Sequence, residues 1–103
     1  MVTTRLINSP SERVLEIVKQ RMRGTKEVKT EWDECNHSAM GLVHGNPVEI
    51  IAAADIAQKA ADVSIFELSG TCQFHFAMVV LLGDVSSVDT AVRAIRNNLE
   101  TKK

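Results

Sequence analysis

The chain predicts an α+β fold in which one sheet is covered by helices. Two observations carry that expectation: β-prone runs take turns with apolar stripes at helical spacing, and breakers of the Gly, Pro, Asn or Asp type stand between them. The first run, Thr3 to Ile7, stops at Asn8-Ser9-Pro10. Ser9 then offers an N-cap, Pro10 suits the first helical position, and Glu12 completes a capping box before the stripe Val14, Leu15, Val18 and Met22. Arg21, Arg23, Gly24 and Lys26 end that helix. From Val28 to Asp33 the side chains alternate, with Val28, Thr30 and Trp32 on one side, which reads as an edge strand or an exposed hairpin arm.

Ala39 to Val43 is the next strand, closing at His44-Gly45, and Asn46-Pro47 opens a second helix by the same cap logic. That helix is rich in alanine from Ala52 to Ala61, so one side is nearly smooth and suits close approach of a neighbouring element. Val63 to Leu68 is a strand, Ser69-Gly70 a turn, and Phe74 to Leu82 a longer strand broken by Gly83-Asp84. Val85, Val88, Ala91, Val92, Ile95 and Leu99 mark the last helix, and Thr101 to Lys103 reads as a frayed tail. Both sides of Phe74 to Leu82 are apolar. If helices cover one face of the sheet, the other face needs a second cover, and a neighbouring copy of the chain is the economical one; a plain central core strand is the other reading.

With 103 residues, 45% hydrophobic and 24% charged, the chain fits one domain. A net charge of −1 with one Trp and three Phe supplies neither the positive field nor the stacking platforms of a nucleic-acid binder. The longest apolar run, Phe76 to Leu82, falls far short of a membrane span, and the N-terminus lacks the pattern of a signal peptide, so a cytoplasmic protein with no membrane partner is expected. Cys35 and Cys72 match no disulfide framework and are expected to be free thiols.

Two stretches then resemble a known family. Ala53-Ala54-Asp55-Ile56-Ala57-Gln58-Lys59-Ala60-Ala61-Asp62-Val63 and Leu82-Gly83-Asp84-Val85-Ser86-Ser87-Val88 are similar to the bacterial microcompartment (BMC) shell-protein domain. In that family a strand, a proline-containing turn and a closing helix follow the last stretch. Here Arg5-Leu6-Ile7-Asn8-Ser9-Pro10-Ser11 and its helix, at the front, resemble those pieces, as in the circularly permuted members of glycyl-radical-enzyme and choline-utilisation compartments. The division this implies is one permuted domain over 1–103: a strand and helix in 1–22, a connector in 23–37 and a core in 38–103. The resemblance implies a ferredoxin-like antiparallel sheet and a cyclic homohexamer. It further implies tiling with other shell proteins into a shell around metabolic enzymes, a central pore for small metabolites, and no enzymatic activity.

It also implies where to look. The family's pore turn maps onto Ser69, Gly70, Thr71, Cys72 and Gln73, a neutral hydrogen-bonding collar that favours polar metabolites; without the resemblance it is an ordinary hairpin turn. Cys72 would be repeated around the axis, and Gly70-Thr71-Cys72-Gln73-Phe74-His75 resembles the pore segment of members thought to hold an iron-sulfur cluster. A cluster needs about four thiolates, so symmetry would have to supply them, and a free pore thiol is the alternative. Lys59 matches the family's edge lysine where hexamers meet; otherwise it is a solvated helix lysine. An arginine common in the family's proline turn is replaced here by Ser9, which leaves the tiling geometry open.

Three further histidine readings are bland. His75 falls on the opposite strand face from Cys72, Cys35 with His37 is at most half a zinc site, and His44 marks a strand end. Two other functions stay in view. One is a small oligomeric ligand-sensing module whose 69–73 turn binds an effector; the other is a thiol enzyme built on Cys72, disfavoured by the lack of a placed base or acid.

Overall fold

A computed structural model describes residues 2–69 and 76–100. Gly70, Thr71, Cys72, Gln73, Phe74 and His75, for which a pore turn and the start of a strand are expected, and the tail from Thr101 lie outside the described residues. The element order is β1 (Thr3–Asn8), α1 (Glu12–Arg21), α2 (Lys26–Glu34), β2 (Ala39–Gly45), α3 (Pro47–Ala60), β3 (Ser64–Leu68), β4 (Ala77–Gly83) and α4 (Val85–Ile95), the last running into a π-helical turn, Arg96–Glu100. The α+β expectation holds. The four strands form one antiparallel sheet in the order β1-β2-β4-β3, with Thr3 opposite His44, Gly45 opposite Ala77 and Leu68 opposite Met78.

Strand alternation divides the apolar side chains between two cores. Val43, Val79 and Leu81 point to the face covered by α3 and α4, where Ala53 and Ala57 let α3 lie close. Met40, Phe66, Val80 and Leu82 point to the opposite face, where they meet Val18 and Met22 of α1 and Trp32 of α2. The expectation that a second copy covers this face is therefore corrected. β4 is apolar on both sides because the chain supplies both covers itself.

The second cover forms because 28–33 is helical, and the edge-strand reading of that segment is corrected. Val28 and Trp32 share a side at a spacing of four in a helix as surely as at an even spacing in a strand, so alternation over six residues does not separate the two. Two local features favour the helix. Gly24 turns the chain at φ +129°, a region open to glycine, with Val28 pressed where a Cβ would sit. Glu27 accepts hydrogen bonds from its own N–H and from the Thr25 hydroxyl, which hold its carboxyl below the usual range and put a fixed negative charge in the first turn. Trp32 then packs edge-on against Phe66, ring centroids 5.3 Å apart.

The start of α1 also moves. Its N-cap is Ser11, whose Oγ accepts the Val14 N–H at 3.2 Å, and the capping box on Ser9 does not form. Ser9 instead sits at φ 52° and donates its N–H to the Ser38 carbonyl at 2.8 Å, tying the β1–α1 turn to the start of β2. The cap expected for α3 is present, Asn46 accepting from Glu49 N–H, and α4 is capped by Asp84, which accepts from Ser87 N–H.

Gly41 is where α4 comes closest to the sheet. A Cβ there would lie 2.9 Å from Val92 Cγ2 and 3.3 Å from Val88 Cγ1. Gly41→Ala is expected to lower stability by about 1–3 kcal/mol, because overpacking outweighs the entropy gained by replacing a strand glycine. Thermal unfolding reads it; an unchanged midpoint would mean that α4 lifts at no cost.

Candidate functional site

The end of the sheet at Gly45, Leu68 and Ala77 carries the features that a partner or metabolite would meet. Here the chain leaves β3 at Ser69 and re-enters the described structure at Phe76. The β3 side is fastened to the end of α1. Ser69 donates both its N–H and its hydroxyl to the Arg21 carbonyl, at 2.7 and 3.0 Å, and Arg23 N–H donates to the Glu67 carbonyl at 2.8 Å. With an isolated bridge between Met22 and Leu68, this segment closes the outer edge of β3, the kind of exposed edge that natural sheets shield.

On the β4 side, His44 stacks on Phe76 with centroids 4.9 Å apart and planes 17° from parallel. Phe76 nevertheless stays 50% exposed. Nearby, the first turns of α3 present Val48 at 78% and Ile51 at 73% exposure, beside a groove of about 410 Å³ lined by Ile51, Ile65, Glu67 and Ala77. Three large apolar side chains are thus left exposed around one end of the sheet, the kind of patch that serves interaction surfaces.

Of the residues that the sequence singled out, Ser69 stands at this end as the anchored base of the turn; Gly70, Thr71, Cys72 and Gln73 lie outside the described residues. Lys59 is far along α3, well exposed and paired with Asp55 at 2.9 Å across one helical turn. Cys35 and His37 do converge, but on a carbonyl. The Cys35 thiol and His37 Nε2–H both donate to Trp32 O, at 3.2 and 2.7 Å, satisfying the end of α2. Burial pushes the Cys35 thiol up, against lowering by a Ser64 hydrogen bond and its own backbone N–H, so it is a poor nucleophile. Among the described residues no three His, Cys, Asp or Glu side chains gather as metal ligands, and no helix is long and apolar enough to cross a membrane.

Sequence reasoning missed the Arg21 clamp and the His44–Phe76 stack, because both join residues more than thirty positions apart. The exposed Val48 and Ile51 were more accessible: they flank Ile50 on a helix whose buried side is already filled by alanines.

The architecture defines a helix-covered α+β unit with exposed apolar side chains at the end of the sheet that holds Gly45, Leu68 and Ala77. The sequence model of the BMC domain family matches residues 39–103, and the chain belongs to that family. Two solved structures are similar over nearly the whole chain, including the β1-α1-α2 front that precedes the matched span. The GrpU microcompartment shell protein from Pectobacterium wasabiae is 28% identical with a TM-score of 0.67, covering 91% of this chain and 99% of that one. The GrpU microcompartment shell protein from Clostridiales bacterium 1_7_47FAA is 26% identical with a TM-score of 0.69, covering 97% and 93%. No curated protein sequence matches the chain.

Proposed function

We propose that this chain, a microcompartment shell subunit by family, closes with copies of itself into a hexameric ring centred on the 69–73 turn. The rings tile with each other and with other shell proteins, and the turn lines a pore for small metabolites. The role is structural and selective, without a catalytic step. One observation carries this reading: Val48, Ile51 and Phe76 are exposed at the same end of the sheet as the turn, so closure around that end buries them and places one turn per copy at the axis. The two faces of the sheet are already covered, which leaves edges and ends for contact.

Electron microscopy and light scattering of the purified protein test it. Six-membered rings that form sheets or closed bodies with rising concentration are expected; a stable monomer at all concentrations would overturn the reading. The proposed tiling contact includes Lys59, which is exposed on α3 and paired with Asp55 of its own helix. Lys59→Ala is expected to keep the ring and weaken the lattice, and unchanged sheets would remove Lys59 from the edge.

The iron-sulfur cluster remains a proposal on Cys72. The described residues offer it no further thiolate: Cys35 lies beyond the opposite end of β2 and points at Trp32 O. Any cluster would thus depend on Cys72 of several copies. Anaerobically prepared protein is expected to be brown, with visible absorbance lost in Cys72→Ser; colourless protein with sub-stoichiometric iron would reject the cluster.

A further inference from the structure

A second, smaller groove opens at the same end but on the α1 side of the sheet. It has a volume of about 240 Å³, a floor of Leu42, Leu68 and Met78, and a rim that includes Arg21, His44 and Phe76. The floor is apolar and the rim is cationic or aromatic. Among the described residues Arg21 has no ion-pair partner, although its carbonyl is fixed by Ser69, so the guanidinium starts from a pinned backbone and is free to bind.

The surrounding charge points the same way. Arg21 ends α1, Arg23 lies in the connection, and Lys26 and Lys29 begin α2, while Lys19 is paired with Asp33 at 2.7 Å. The acids Glu31, Asp33 and Glu34 sit at the other end of α2, whose last turn has no basic residue. Except for Glu27, that order runs against the helix dipole, which favours acids at the start and bases at the end. Here the result is a concentration of positive charge beside the groove.

We infer that this groove binds a small organic anion, a carboxylate or phosphate attached to a short carbon chain. Arg21 receives the charged head through charge-assisted hydrogen bonds, the Leu42–Leu68–Met78 floor takes the chain, and the basic α1–α2 connection raises the local anion concentration. The groove's lining comes from one protomer, and of the proposed ring contact it shares only Phe76; in a ring centred on the neighbouring turn it would load one face of the pore with anions.

Butyrate is the probe, with 1-butanol as the uncharged analogue of equal chain length. Titrating the full chain at low ionic strength by NMR, butyrate is expected to shift resonances of His44, Ser69, Phe76 and Met78, with affinity falling as salt is added. Arg21→Gln, which leaves the backbone clamp in place, is expected to weaken butyrate by about tenfold, the loss of one charge-assisted contact. Equal binding of butanol, equal binding by Arg21→Gln, or no shifts in the groove would overturn the inference. Light scattering on the same samples reads ring formation separately, so a monomer that binds butyrate refutes the ring alone, and a ring that ignores it refutes the site alone.

Discussion

Ile51→Asp protein is expected to be folded and monomeric under conditions in which the native chain is proposed to form rings. Ile51 is 73% exposed in the isolated subunit, so a carboxylate there meets water and leaves the fold intact. In a closed ring the same carboxylate would be taken out of water beside Ile65 and Ala77, with Glu67 on the groove's lining as a like charge. An uncompensated buried charge costs on the order of 3–5 kcal/mol, and a ring incurs that cost at every interface. Native mass spectrometry gives the assembly state and circular dichroism the fold. Rings of undiminished stability would place the subunit contact elsewhere on the surface and withdraw the argument from the exposed end.

Trp32→Ala is expected to have the largest effect on the subunit itself, a loss of about 3–5 kcal/mol in urea unfolding. The indole is almost wholly buried, edge-on to Phe66 and 5.4 Å from the His37 ring, and its backbone carbonyl is the acceptor on which Cys35 and His37 converge. Removing it leaves a cavity between α2 and the sheet that Val28 and Met22 are too small to fill. Against a total stability of roughly 5–15 kcal/mol for a domain of this kind, that is a large fraction. A change below about 1 kcal/mol would mean that α2 rests on the sheet without contributing to its core.

The order of most strands and helices was legible because their signals are local. Asn46-Pro47 and Asp84 announce helix starts by side chains that reach N–H groups three residues on, and the structure shows those bonds. Ser9 failed as a cap for a reason outside its own neighbourhood: its N–H is taken by Ser38, twenty-nine positions away, so the competition between Ser9 and Ser11 was settled by β2. The helix at Lys26–Glu34 was misread because Val28 and Trp32 satisfy both periods, and that single ambiguity hid the second cover of the sheet. At the site, the breakers and the family resemblance pointed to 69–73, of which only Ser69 lies among the described residues. The surroundings that give it chemical character, Arg21 beneath Ser69 and His44 on Phe76, are tertiary and leave no trace in spacing.

The hairpin of α1 and α2 over the second core also bears on how a shell grows. A subunit whose sheet is roofed on both sides by its own chain has no sheet face left waiting for a neighbour. In the proposed lattice, growth would then draw on ready parts, and a damaged part would be replaceable without unravelling the next.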